Sequence, residues 1–192
     1  MLLRVGFILC ALAAAASPGP QQPGCEPPVW GDTVTVFDSR VKEYVALRDK
    51  LEASLARPIA TGTVAEVSAA RRALAAQIRA AREGAKQGDL FAPAIATEIK
   101  KSLRRAIDAH TWKAIMDDNP GEEPSQVNDD YREGSSLTTM LPNVLAALPR
   151  LPADIEYRFV ERHLILLDTR ARLIVDRIPY AIGDPASEGS CR

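Results

Sequence analysis

Residues 155–178, IEYRFVERHLILLDTRARLIVDRI, are the one long stretch of the chain that reads as strand. Ile155, Tyr157 and Phe159 alternate with Glu156 and Arg158, the period-two pattern of a half-buried strand. Residues 164–167 then run apolar without alternation, as a strand covered on both faces does, and residues 173–175 repeat this. Three short strands in a meander follow from the pattern. Glu161, Arg162 and His163 form the first turn and residues 168–172 the second, with Asp168 closing the second by bonding backbone two residues on. Neither turn contains glycine. A two-residue primed turn needs positive φ at its centre, so a longer loop built on a type I turn is expected at both. So small a sheet is unstable alone and must be covered by the helices that precede it.

Those helices are legible upstream. Val34, Phe37, Val41, Tyr44, Leu47, Leu51 and Leu55 recur at spacings of three and four, predicting a first helix over residues 34–56 with Asp32 or Thr33 as its cap. The stripe is read as an internal bundle seam rather than a coiled-coil dimer seam, because a strict heptad would place Arg48 in it and the pattern stops at Pro58; the chain is accordingly expected to be monomeric. Thr63 and Glu66 form a capping box that opens a second helix reaching about Ala85. Arg71, Arg72, Arg79 and Arg82 give this helix a basic flank, read as a solvated face, with an anion or membrane-surface site as the alternative. Pro93 sits where a first turn tolerates it, and Ile95, Ile99, Leu103 and Ile107 mark a third helix completed by a turn carrying Trp112, Ile115 and Met116. A short fourth helix is expected over residues 141–148. The fold class expected is therefore α+β, mainly α: a bundle of three main helices plus a short fourth, followed by a small C-terminal antiparallel β-meander.

Residues 1–16 combine a basic head at Arg4, an apolar run and small residues at Ala14 and Ala16, the pattern of a secretory signal peptide of the Sec type cleaved after Ala16. The run is too short to cross a bilayer, which needs roughly 20 apolar residues, so no transmembrane segment is expected after cleavage. Cys10 lies inside the apolar run rather than after small residues, against lipidation there. Residues 17–30, with five prolines and two glutamines, are expected to be disordered, as is the polar tail 183–192; residues 31–182 form one domain. Residues 117–136, rich in Asp, Glu, Asn, Gly, Pro and Ser, are expected to be a flexible acidic loop bare of apolar anchors. The Ala-, Arg- and Pro-rich composition is that of a high-GC bacterial genome, which places the exported chain in the periplasm or the medium.

A formal net charge of −1 gives no reason to expect nucleic acid as a partner. His110 and His163 have no second His or Cys at ligand spacing, so no metal site is assigned and both are read as surface histidines. There is no Gly-x-Ser-x-Gly, no phosphate-cradling glycine loop and no cysteine with an activating partner, so neither catalytic nor cofactor-binding residues are assigned and no cofactor is expected. Asp168 and Asp176 stand where they could face each other across the last hairpin as a carboxylate pair, but a turn-closing Asp beside Arg170, Arg172 and Arg177 accounts for them without catalysis. Cys25 and Cys191 survive cleavage, and an even count in an oxidising compartment invites a disulfide between them; a bond between two chains and two free thiols are the alternatives. The functional expectation is a non-enzymatic envelope protein that binds an unidentified protein or envelope ligand. The alternative is a small periplasmic enzyme or metal-binding protein whose site only tertiary structure assembles.

Overall fold

The computed structural model describes residues 30–55, 62–119, 126–131 and 140–184. Cys10, Cys25, Cys191, residues 1–16 read as a signal peptide, the Pro-rich segment up to residue 29 and tail residues 185–192 lie outside the described residues.

Among the described residues five helices precede a three-stranded sheet: α1 (Gly31–Ala53), α2 (Val64–Ala81), α3 (Pro93–Ala106), α4 (Ala109–Asp117) and α5 (Pro142–Ala146), then β1 (Ile155–Val160), β2 (His163–Asp168) and β3 (Leu173–Ile178). The strands form an antiparallel meander in the order β1, β2, β3. This is the α+β, mainly α architecture expected from the pattern.

The helices lie on one face of the sheet. Tyr157 and Phe159 of β1, Leu164 and Leu166 of β2 and Leu173 and Val175 of β3 join Phe37, Val41, Leu74, Ile78, Phe91, Ile95, Ile99 and Leu103 in the main core. Phe91 stacks between Phe37 and Tyr157, with ring centroids 5.4 Å and 6.3 Å away. Val160, Ile165, Leu167 and Ile174 point the other way, and Tyr131 covers them. Both faces are thus buried, which is the physical reason residues 164–167 are apolar without alternation.

Tyr131 also corrects the reading of residues 117–136. Residues 126–131 pair with the free edge of β3: the Asn128 N–H donates to Ile174 O at 2.8 Å, the Ile174 N–H to Asp129 O at 3.0 Å and the Tyr131 N–H to Arg172 O at 2.8 Å. This part of the acidic stretch is anchored by backbone bonds and one buried ring, and it shields an edge that would otherwise be an open template for pairing.

Four further expectations are corrected. The buried stripe of α1 is Phe37, Val41, Tyr44 and Arg48, whereas Leu47 is only half-buried; the seam takes Arg48 because a buried carboxylate meets it there. Asp32 and Thr33 lie inside the first turn rather than capping it, and the Thr33 hydroxyl donates to Trp30 O at 2.7 Å. The third helix divides at Ile107 and Asp108, where the Asp108 carboxylate accepts the Thr111 N–H at 2.8 Å and starts α4 as a helix of its own. The first hairpin turn has two residues, not more: Val160 pairs with His163, and Glu161 takes φ +51°. Asn119 holds that strained residue from both sides, donating to Glu161 O at 2.8 Å and accepting the Glu161 N–H at 2.7 Å. The second turn is the longer loop expected, and the capping box at Thr63 and Glu66 forms with both of its bonds.

Candidate functional site

The second hairpin turn, residues 169–172, projects between α1 and α2 and positions most of the charged chemistry. Asp168 closes it as the sequence implies: its Oδ1 accepts the Arg170 and Ala171 N–H groups at 2.9 and 3.1 Å. Its Oδ2 accepts the Tyr44 hydroxyl at 2.7 Å and lies 3.7 Å from Arg48 Nη1. Asp168 is fully buried and Arg48 only 4% exposed, so this is an interior ion pair. Burial pushes the Asp168 carboxyl above the usual carboxylate range against the pull of its donors, and burial with the neighbouring Asp168 charge pushes the Tyr44 hydroxyl up. Arg170 forks onto Glu52 of α1, with Nε donating to Oε2 at 2.7 Å and Nη2 meeting Oε1, which ties the turn to that helix.

Asp176 is equally buried but elsewhere. In the β2–β3 ladder Leu166 pairs with Asp176 and Leu167 with Ile174, so Val175 is an extra residue on β3. That bulge shifts the alternation by one and turns Asp176 toward the helices. Each carboxylate oxygen accepts two backbone N–H groups: Oδ2 those of Leu90 and Phe91, both at 2.7 Å, and Oδ1 those of Gly88 and Arg177 at 2.9 and 2.7 Å. Burial raises its pKa and these donors oppose the rise. Asp168 and Asp176 are therefore not a facing pair: the cross-strand partner of Asp168 is Leu173, and each carboxylate has its own donors. Nor are they surface charges beside arginines; both hold interior structure together.

His163 departs from the surface reading as well. It begins β2, its Nδ1 accepts the Tyr180 N–H at 3.1 Å, and its ring meets that of Tyr180 edge-on at 5.0 Å. His110 lies exposed in the first turn of α4. Burial, followed by Arg177, holds the His163 pKa below the usual 6.5. The native state thus favours the neutral ring, and the unfolded chain binds the proton more tightly. Stability carried by His163 is present above about pH 6.5 and is lost as pH falls through that value toward the folded midpoint, opposite in sense to Asp168 and Asp176. An NMR titration of His163 is expected to give a midpoint below 6.5, and the melting-temperature advantage of wild type over His163→Ala should shrink on acidification from pH 7.5 to 5; a midpoint at or above 6.5 would contradict the buried acceptor role.

Two concavities flank the turn. The one against α1, about 490 Å3, is lined by Arg48, Asp49, Glu52, Asp154 and Arg170, whose charges are already matched: Arg48 with Asp49 at 2.9 Å, and Arg170 with Glu52 and with Asp154 at 3.8 Å. The one against α2, about 200 Å3, is lined by Ser68, Arg71 and Arg72 of α2, Asp130 and Tyr131 of the docked segment, and Ala171 and Arg172 of the turn. Among the described residues its lining carries three guanidinium groups and one carboxylate, and that carboxylate, Asp130, is itself 2.5 Å from Arg79. Arg71 and Arg72 form no ion pair among the described residues, and Arg71 Nε is buried without a hydrogen-bond partner. Arg172 is aimed by its own Nε, which donates to Tyr131 O at 3.1 Å.

The basic flank of α2 is thus only partly the solvated face read from sequence. Arg79 Nε donates to Asn128 O at 2.8 Å, while Arg82 donates to Val175 O at 3.1 Å and lies over the Tyr44 ring. Arg71 and Arg72 remain, and Arg172 joins them across the fold. Sequence showed the first two; only the packing of the turn against α2 supplies the third.

Among the described residues no group of three or more His, Cys, Asp or Glu side chains is placed to hold a metal ion, and no helix is long and apolar enough to cross a membrane. No family model, curated protein or solved structure matches the chain.

Proposed function

We propose that the chain is an exported, non-enzymatic binding protein of the cell envelope, and that its ligand is a small oxyanion or a molecule bearing one, held between α2 and the β2–β3 turn. The observation that carries this reading is the convergence of Arg71, Arg72 and Arg172 on a concavity of about 200 Å3 in which the one carboxylate among the described residues, Asp130, already faces Arg79. Guanidinium groups present forked donors that match phosphate and carboxylate oxygens, and two of these three, Arg71 and Arg72, form no ion pair among the described residues. The volume is below the roughly 300–1,000 Å3 of pockets that enclose drug-sized molecules, so it suits a free oxyanion or a single anionic head group. The placement in the envelope rests on the sequence of residues 1–16. The alternative is an enzyme or metal-binding protein whose site only tertiary structure assembles; of the carboxylates singled out for acid–base work, Asp168 and Asp176 are both committed to interior hydrogen bonds.

Calorimetric titration of the purified full chain with inorganic phosphate at low ionic strength is expected to show saturable binding that weakens with added salt. Arg71→Ala and Arg172→Ala should each weaken it about tenfold or more while leaving the melting temperature near wild type. Absence of binding at millimolar phosphate, or binding indifferent to both variants, would overturn the assignment. Export is tested separately, by N-terminal sequencing of the envelope fraction; a chain beginning at Met1 would overturn it and leave the binding reading in place.

A further inference from the structure

We propose that His163 is a proton-sensitive latch: in its neutral form it holds residues 180–182 against the end of the sheet, and protonation releases them. His163 opens β2, and its Nδ1 accepts the Tyr180 N–H at 3.1 Å. Tyr180 takes φ +47°, a left-handed conformation that a non-glycine residue keeps only under restraint, and it stands 70% exposed. The two residues after it turn inward. Ala181 and Ile182 are buried in the main core, and both of their N–H groups donate to Arg162 O, at 2.8 and 3.3 Å. One imidazole nitrogen and one shared carbonyl thus accept the three N–H groups that tie this segment to the first hairpin.

A neutral imidazole has one accepting nitrogen, and here Nδ1 is that nitrogen, so Nε2 carries the proton. Once protonated, the ring has two donors and no acceptor. Nδ1–H then points at the Tyr180 N–H, and an attraction becomes a repulsion. The restraint on Tyr180 goes with it, and the segment is left on the Arg162 carbonyl that Ala181 and Ile182 share. Among the described residues, burial of the ring, then Arg177 of β3 and Lys100 of α3, favour the neutral form, while Glu161 of the hairpin turn, with Oε2 3.9 Å from Nε2, favours the protonated one. The Tyr180 ring meets the imidazole edge-on at 5.0 Å, and the Arg162 guanidinium lies over Trp112, 5.9 Å from its ring centre. The latch is therefore closed at neutral pH and opens on acidification from pH 7.5 to 5.

The test is amide hydrogen exchange of the full chain, followed by NMR at both pH values and expressed as protection relative to the unstructured rate at each. Protection of the Tyr180, Ala181 and Ile182 amides is expected to fall about tenfold or more on acidification, the equivalent of one lost hydrogen bond, while that of Leu166 in β2 and Ile99 in α3 changes by less than about threefold. In His163→Asn, whose Oδ1 can stand where Nδ1 does and accepts at either pH, the three amides should keep their protection within about threefold. The wild-type comparison needs no variant. Unchanged protection at the lower pH, or a loss confined to Tyr180, would overturn release of the segment. An equal loss in β2 and α3 would overturn a local latch in favour of general loosening as Asp168 and Asp176 take up protons. A local loss that persists in a folded His163→Asn would overturn the assignment to His163.

Discussion

Asp176→Ala is expected to destabilise the protein by about 3–5 kcal/mol, because it strips several buried donors of their acceptor at once. The Leu90 and Phe91 N–H groups are buried and share Oδ2, and those of Gly88 and Arg177 share Oδ1. The missing carboxylate also leaves a void beside Phe91, which links Phe37 to Tyr157 through the core. Asp176→Asn separates the two contributions. It keeps the volume, but its amide nitrogen faces two N–H donors wherever it is placed, so it should recover little of the loss. Urea denaturation of the three proteins checks this, and an Asn variant within about 0.5 kcal/mol of wild type, the scatter of an ordinary surface change, would show that the donors are not held by the carboxylate.

Asp168→Ala is expected to cost about as much, on the order of 3–5 kcal/mol, for a different reason: it leaves Arg48 as an interior cation without its buried partner. It also releases the Tyr44 hydroxyl and the two N–H groups that shape the turn. Arg48 Nη1 has no hydrogen-bond partner even in the native state and depends on Asp168 Oδ2 at 3.7 Å for its compensation. Adding Arg48→Met removes the orphaned charge and keeps most of the side-chain volume, so the double variant should be more stable than Asp168→Ala alone. If the second substitution instead adds its own loss, Arg48 is being compensated from Asp49 or from solvent, and the interior pair is not what fixes α1 to the turn.

The sheet and the bundle were legible because each rests on a periodicity that burial enforces: the unbroken apolar run of β2, the capping box of α2, the three-and-four spacing in α1 and α3. What escaped were the places where a polar residue occupies an apolar position. Arg48 was left out of the buried stripe and counted against a coiled-coil dimer seam, yet it is part of the internal seam, since its stem packs like an aliphatic chain while its head meets Asp168. Asp176 was read as lying near a surface turn because a bulge at Val175 cannot be seen in the residue pattern, and that single extra residue decides which face the carboxylate takes. Docking of residues 126–131 had two visible signs, Val127 and Tyr131 in a mostly polar stretch. Arg71 and Arg72 could be placed on one flank of a helix, but their convergence with Arg172, a hundred positions downstream, depends on where the last turn packs and is invisible to any local reading.

The proposed site is tested most directly by following the arginine Nε–H signals in NMR spectra of the full chain as inorganic phosphate is added. Arg71 Nε is buried and Arg172 Nε is bonded to Tyr131 O, so both protons are sheltered from exchange and report on the pocket itself. The expected result is a saturable shift of both signals with one common Kd, while those of Arg40 and Arg158, which line neither concavity, stay in place. Signals of Arg71 and Arg172 that do not move, or that move no more than those of Arg40 and Arg158, would contradict an oxyanion site between α2 and the β2–β3 turn.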